Sequence, residues 1–213
     1  MPSRQINDFF TKRKQKKIGV SGQTCDQGDL LVCDAVHGLL RVDISSGKTT
    51  TLVSPHHKVE GLSNYFMNSV AVSRDGSKAY FTASSSYFGL TDAIYECLSA
   101  GSGRLLSYDF SSGKVNVLAS GLAFANGVAL SPKEDFILVA ESTRFRIWKH
   151  WLAGPEKGKT ELWSEVPGMP DNIRSNGKGG YLVGVFSPHR PDDEVMLTKR
   201  VLAFPPISRA IVR

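Results

Sequence analysis

The sequence predicts an all-β fold, a β-propeller with about four blades, and two observations lead to this prediction. The same hairpin turn occurs twice, and short apolar strands return at similar intervals along the 213 residues. No convincing amphipathic helix lies between those strands, which argues against an α/β fold with a parallel sheet. A two-sheet sandwich is the all-β alternative, but it does not explain matching turns at this period.

The repeated turn reads Asp-Ile-Ser-Ser-Gly-Lys at residues 43–48 and Asp-Phe-Ser-Ser-Gly-Lys at residues 109–114. A strand-like run precedes and follows each copy, and the glycine is free to adopt a positive φ. We therefore predict that both segments are hairpin turns between the last two strands of a blade.

A short apolar strand is predicted four times, with starts 49, 58 and 43 residues apart. These strands begin at Leu31, Tyr80, Leu138 and Tyr181. Another strand and a polar turn precede three of them, so the repeating unit has the four strands of a propeller blade. Residues 87–100 form the longest interruption, which we expect to be a loop with a helical turn.

Composition is that of a soluble globular protein, with 41% hydrophobic and 22% charged residues. No apolar run approaches the ~20 residues of a membrane helix, and the first 17 residues lack the apolar centre of a signal peptide. Most of the net charge of +6 lies in residues 1–17, which hold six basic residues and one acidic residue. We predict a disordered basic tail at 1–17 and a partial propeller at 18–213 that binds no nucleic acid.

The three cysteines, Cys25, Cys33 and Cys97, show no metal-binding spacing. Cys25 and Cys33 either pair across a hairpin or are two small buried hydrophobic residues. Four blades leave two open edges, so the chain is expected to be a fragment or a truncated gene product, or to close with a partner. We favour the first expectation.

Several segments are similar to the strictosidine synthase-like family of β-propellers, which includes the adipocyte plasma membrane-associated proteins and many plant relatives. The residues that carry the resemblance are Asp-Leu-Leu-Val-Cys-Asp-Ala at 29–35, Tyr-Phe-Thr-Ala-Ser-Ser-Ser at 80–86, Phe-Ala-Asn-Gly-Val-Ala-Leu-Ser at 124–131 and Pro-Gly-Met-Pro-Asp-Asn-Ile-Arg at 167–174. The likeness covers about residues 18–187 and is most specific over 103–174. More distantly, the chain resembles the paraoxonase and gluconolactonase propellers.

The resemblance implies a six-bladed propeller with a site at one end of its central channel. Some relatives hold calcium there and hydrolyse lactones or esters, whereas strictosidine synthases condense an amine with an aldehyde by means of a catalytic Glu. That Glu comes from a later blade, and the acidic calcium ligand of the hydrolases comes from an earlier blade. The expected function is thus arylesterase-like or lactonase-like, or catalytically silent in an incomplete chain. The family implies the secretory pathway, the endoplasmic reticulum membrane or the vacuole as location.

Asn68, Asn126 and the pair Asp171 and Asn172 each open the first strand of a blade. In a propeller these strands line the channel, so their starts can converge at its mouth. Asn and Asp supply oxygen ligands, which suit Ca²⁺, and by resemblance all four match metal positions of the paraoxonase-type relatives. The alternative is that these side chains bond nearby backbone groups.

Two positions depart from the relatives, and both departures remove a carboxylate that we expect on the channel side. Ser69 and Ala83 stand where many relatives have Asp. Glu141, the acid at the corresponding place in the third blade, is a candidate general base or a hydrogen-bonded structural acid. The histidines form no metal-binding or catalytic pattern, and there is no nucleophile elbow or glycine-rich phosphate loop.

The basic tail carries a separate partial motif. Ile6, Phe9 and Phe10 have the spacing of the peptide that docks on the replication sliding clamp, although Ser3 stands where Gln is preferred. The basic run that follows would also serve as a nuclear-import signal or a solvated tail. The competing functional class is therefore a non-enzymatic interaction module that uses the tail or a face of the propeller.

Overall fold

The computed structural model describes residues 20–24 and 29–188, which form four antiparallel sheets. The first sheet contains β1 (Val20–Thr24), β2 (Asp29–Asp34), β3 (Gly38–Asp43) and β4 (Thr49–Val53). The second contains β5 (Tyr65–Val72), β6 (Lys78–Ser85), β7 (Gly103–Asp109) and β8 (Val115–Leu122). The third contains β9 (Ala125–Leu130), β10 (Phe136–Glu141), β11 (Arg146–Trp151) and β12 (Thr160–Glu165), and the fourth pairs β13 (Gly168–Ser175) with β14 (Tyr181–Pro188).

Each four-stranded sheet is a simple meander in which neighbours in sequence pair with each other. The four sheets are the predicted blades, which we number 1 to 4, and the prediction of a partial β-propeller is confirmed. The predictions for residues 1–17, for Cys25 and for residues 189–213 concern positions outside the described residues.

The two repeated turns are hairpins for the predicted reason. In the first copy the Asp43 carboxylate accepts the backbone N–H groups of the two turn serines at 2.8 and 2.9 Å, and Gly47 adopts a φ of 71°. The second copy repeats this arrangement at Asp109 and Gly113. Hydrogen bonds from the hydroxyls of Ser45 and Ser111, together with those from the backbone N–H groups, favour the ionised carboxylates and lower the pKa of both Asp43 and Asp109 to about 2.

The core lies between the blades, because successive residues of a strand point to opposite sheet faces. Ile137 and Val139 of β10 pack towards blade 2, whereas Leu138 and Ala140 pack towards blade 4. The first strands of successive blades are neighbours, since β5 contacts β1 and β9, and β9 contacts β13. The first strands of blades 2, 3 and 4 therefore lie side by side.

The interruption at residues 87–100 contains the expected helical turn, a 3₁₀ turn (Leu90–Asp92) followed by α1 (Ala93–Leu98). The buried carboxylate of Glu96 accepts the backbone N–H and the hydroxyl of Ser102 at 2.7 and 2.6 Å. These bonds fix the insertion at the start of β7.

Cys33 is a free cysteine, fully buried in β2. Its thiol donates to the backbone carbonyl oxygen of Ser69 at 3.4 Å, across the contact between blades 1 and 2. The structure therefore supports the interpretation of Cys33 as a small buried hydrophobic residue.

Candidate functional site

A cavity of about 330 Å³ lies where the first strands of blades 2, 3 and 4 meet. The residues that line it are Phe66, Asn68, Cys97, Phe124, Asn126, Ser142, Met169, Asp171, Asn172 and Phe186. All four residues proposed as metal ligands from the sequence are among them. The structure thus brings together positions that are up to 104 residues apart, while their role as ligands stays a prediction.

A β-bulge in each first strand places these polar residues. In β5, Asn68 and Ser69 stand opposite the single residue Thr82, because Met67 pairs with Ala83 and Val70 pairs with Phe81. The same two-against-one register occurs at residues 126–127 of β9 and 171–172 of β13. Bulges commonly redirect side chains next to functional sites. Three copies at equivalent positions make Asn68, Asn126 and Asp171 structural counterparts.

Large apolar residues form the other part of the cavity wall. Phe66, Phe124 and Met169 each lie two positions before the polar residue of their strand. Phe66 and Phe124 have φ angles of 52° and 62°, in the left-handed region that costs energy for a bulky residue, and their rings meet edge to face at 5.3 Å. Sequence reasoning missed these residues, although the repeated Phe-x-Asn spacing was a signal for them.

The amide groups of the two asparagines are oriented. Asn68 donates its amide N–H to the Ser84 hydroxyl at 3.3 Å, and Asn126 donates to the Ser142 hydroxyl at 3.1 Å. Asn126 is only 7% exposed, and its Oδ1 is buried without a hydrogen-bond partner among the described residues. A buried acceptor without a partner is costly in a folded protein, so the cavity has a place for a donor or a cation.

The cavity carries little charge. Asp171 is the single carboxylate among its lining residues, and burial raises the pKa of Cys97 to about 11, which keeps that thiol neutral. No group of three or more His, Cys, Asp or Glu side chains that would hold a metal occurs in residues 20–24 and 29–188. The lining thus offers one carboxylate and three amide side chains as candidate oxygen ligands.

Glu141 lies outside the cavity lining, in a buried ion pair. Its Oε2 accepts from Arg146 at 2.6 Å and from the Trp148 indole N–H at 2.7 Å, and its Oε1 accepts the backbone N–H of Ala123 at 2.9 Å. Both carboxylate oxygens are occupied by strong donors. The structure supports the interpretation of Glu141 as a structural acid rather than the weak catalytic candidate.

Ser69 and Ala83 do not line this cavity, contrary to the expectation that they face the channel. Ala83 is fully buried with Phe81 in the cluster between blades 1 and 2. The Ser69 hydroxyl instead accepts the backbone N–H of Val128 in the next blade at 3.3 Å. Their replacement of Asp in relatives therefore changes the packing between blades rather than the charge of this cavity wall.

Solved structures of similar shape are propellers with low sequence identity. A gluconolactonase from Xanthomonas campestris matches with a TM-score of 0.61 and 18% identity, over 77% of this chain and 55% of its own. The calcium-binding protein regucalcin from Agrobacterium tumefaciens matches with a TM-score of 0.56 and 15% identity, over 78% of this chain and 53% of its own. These matches establish the fold.

Curated relatives are much closer in sequence. The chicken (Gallus gallus) adipocyte plasma membrane-associated protein is 43% identical over 158 residues, which are 73% of this chain and 38% of that protein. The human protein of that name is 40% identical over 188 residues, which are 87% of this chain and 45% of that protein. The chain thus spans about two fifths of the length of these relatives. Within the described residues, no helix has the length and apolar character needed to cross a membrane.

A plant relative and a family model agree with this assignment. The Arabidopsis thaliana protein strictosidine synthase-like 10 is 40% identical over 161 residues, which are 75% of this chain and 42% of that protein. The strictosidine synthase family model matches residues 68–155, which run from within β5 to beyond β11 and include Asn68 and Asn126. The chain is thus similar in sequence to the strictosidine synthase-like family of β-propellers, over part of the length of its members.

Proposed function

We propose that the cavity is a hydrolase-like site for an ester or a lactone, in which Asn68, Asn126, Asp171 and Asn172 hold a Ca²⁺ ion. One observation carries the proposal, the convergence of these four oxygen-bearing side chains on one cavity that contains the unpartnered Oδ1 of Asn126. Carboxylate and amide oxygens are the ligands that Ca²⁺ prefers. The gluconolactonase and the calcium-binding regucalcin among the structures of similar shape support the same choice.

The donor set fits Ca²⁺ in kind. Ca²⁺ takes about six to eight oxygens, so water, substrate or residues outside the described part would supply the remainder. With only Asp171 charged, affinity should be modest, because each carboxylate adds a large Coulomb attraction. A bound Ca²⁺ would polarise a substrate carbonyl group as a Lewis acid.

The apolar wall suits the organic part of a substrate. Phe66, Phe124 and Met169 border the polar residues, so a ligand with a carbonyl group at the polar side would contact rings and a thioether at the other. Because both oxygens of Glu141 are engaged, the proposed site has no general base from this residue. If the cavity binds the ligand but does not hydrolyse it, the protein is the catalytically silent form of this site. An amine or aldehyde, as used by strictosidine synthases, is the alternative substrate class.

Calcium titration by calorimetry tests the proposal, with ester and lactone hydrolysis measured in the same preparations. Asp171→Asn keeps the shape of the side chain and removes its charge, so it should weaken Ca²⁺ binding more than Asn126→Ser, which removes one neutral oxygen ligand. Equal affinities for the parent chain and both variants would make the cluster purely structural. Binding of Ca²⁺ with no hydrolysis would identify the silent form.

The sliding-clamp hypothesis and the location remain proposals. A peptide of residues 1–17 should bind a sliding clamp, and Phe9→Ala with Phe10→Ala should abolish that binding. An affinity that survives both substitutions would reject the interaction-module alternative that uses the tail. For location, we propose the secretory pathway, the endoplasmic reticulum membrane or the vacuole. The curated relatives named plasma membrane-associated protein support a secretory or membrane location in general. Fluorescence microscopy of the tagged chain would test this.

A further inference from the structure

Each of the two cavity asparagines, Asn68 and Asn126, contacts one buried serine, and that serine also bonds to the next blade. The Ser84 hydroxyl donates to the backbone carbonyl oxygen of Ala125 at 2.7 Å, and the Ser142 hydroxyl donates to that of Pro170 at 2.6 Å. A carbonyl oxygen can only accept, so each hydroxyl has committed its single hydrogen to the neighbouring blade. Ser84 and Ser142 are 0% and 5% exposed, so bulk water does not compete for these bonds.

This commitment decides which way the asparagine amides face. With its hydrogen used, each hydroxyl offers only lone pairs, and an amide can approach a lone pair only with its NH₂ group. The distances from Nδ2 to Oγ are 3.3 Å for Asn68 and Ser84 and 3.1 Å for Asn126 and Ser142. The amide oxygens are therefore directed away from the serines, and in Asn126 this oxygen is the buried atom without a partner.

Blade 4 supplies an internal comparison. The bulge registers make Asp171 the counterpart of the two asparagines. A carboxylate has oxygen at both terminal positions, so it presents an acceptor in either orientation. Only the two amides therefore need a partner that decides which of their ends faces the cavity.

We propose that Ser84 and Ser142 are positioning residues that lock Asn68 and Asn126 with their oxygens towards the cavity. The polar side of the cavity then presents acceptors only, and it selects cations over ligands that are themselves acceptors. This inference rests on the proposed function, since it assigns the cation selectivity of the same site to two residues that do not belong to the proposed ligand set.

A double-mutant cycle on the full 213-residue chain tests the inference, with Ca²⁺ alone as the probe in calorimetry. Ser142→Ala leaves the Asn126 amide free to turn its NH₂ group into the cavity, so Ca²⁺ affinity should fall about tenfold. In the Asn126→Asp background both terminal atoms are oxygens. There the same Ser142→Ala change should alter affinity by less than about twofold. Ser131→Ala, which removes a buried hydroxyl at the β9–β10 turn, is the matched control and should leave affinity unchanged.

Equal losses in both backgrounds would mean that Ser142 supports the fold without orienting the amide, and would overturn the inference. If the parent chain binds no Ca²⁺, the proposed cation site fails, and side-chain NMR decides the orientation separately. The Asn126 NH₂ protons should exchange slowly with water in the parent and at least about tenfold faster in Ser142→Ala, because a buried hydrogen bond is lost. Exchange that is the same in both proteins would overturn the inference even in that case.

Discussion

Gly127 in blade 3 lies directly against the backbone of Asp171 in blade 4, and a Cβ atom at residue 127 would approach the Asp171 carbonyl oxygen to 2.5 Å. The same Cβ would come within 2.6 Å of the Ile173 backbone nitrogen. Both residues belong to the bulged part of their first strands, so the two blades are closest where the cavity residues are placed. A side chain of any size at residue 127 has to separate the blades.

Gly127→Ala should therefore lower the free energy of unfolding by about 1–3 kcal/mol, the usual cost of forcing an extra methyl group into a packed contact. The opposing atoms are backbone, so no flexible side chain can give way. Gly89→Ala is the matched control, because a Cβ there meets nothing within 4 Å. Urea unfolding of both variants measures the difference. Equal midpoints would show that the blades are not in contact at residue 127.

Glu141→Gln should destabilise the chain by about 2–4 kcal/mol, because it leaves Arg146 and the Trp148 indole facing a neutral amide in a buried site. Glu161→Gln is the control from the same blade, where the carboxylate also accepts from a tryptophan indole, Trp151, but is more exposed. Its effect should be clearly smaller, since exposed ion pairs contribute little. Thermal unfolding of the two variants compares them. A large loss of hydrolysis with unchanged stability in Glu141→Gln would instead restore the catalytic interpretation.

The sequence predicted the blades and the four polar cavity residues because both are encoded in local repeats. It did not predict the roles of Ser84 and Ser142, because their hydroxyls bond to carbonyl oxygens of another blade. Serine recurs at the equivalent position of blades 2 and 3, but a serine in the sequence does not by itself indicate a bond to another blade. The expectation for Ala83 was wrong for a related reason. Alternation within β6 places it on the face of Phe81, which packs between blades 1 and 2.

The pH dependence of stability should contain a contribution from His150 in β11. This residue is 3% exposed, its Nδ1 lies 2.8 Å from the Thr160 hydroxyl, and burial lowers its pKa in the folded state. The unfolded chain then binds a proton more readily than the native chain. Stability contributed by neutral His150 is complete above about pH 6.5 and is lost as the pH falls through the folded pKa.

His150→Gln should flatten the fall in unfolding free energy between about pH 7 and pH 5, where one such group contributes at most about 1.4 kcal/mol per pH unit. His57→Gln, at an exposed histidine, is the control for the substitution itself. Denaturant titrations at several pH values provide the measurement. An identical slope in His150→Gln and the parent chain would show that another group governs the acid sensitivity.

The outer face of blade 4 should mediate association of the chain with a second copy. By register, Leu182 of β14 corresponds to Leu138 of β10. Leu138 is fully buried against the next blade, whereas Leu182 is 67% exposed. A large apolar side chain that is exposed at a position buried in another blade favours contact with another apolar surface.

Leu182→Lys should weaken self-association at least about tenfold, because burying a leucine contributes about 1.5–3 kcal/mol and a lysine ammonium resists burial. Ile94→Lys introduces the same charge at a side chain of α1 that is 61% exposed, and it should associate as the parent does. Sedimentation velocity over a range of concentrations separates the variants. If Leu182→Lys and the parent chain have the same dissociation constant, association does not use this face. If the parent stays monomeric at high concentration, the apolar surface exposed on this face is too small to drive dimerisation.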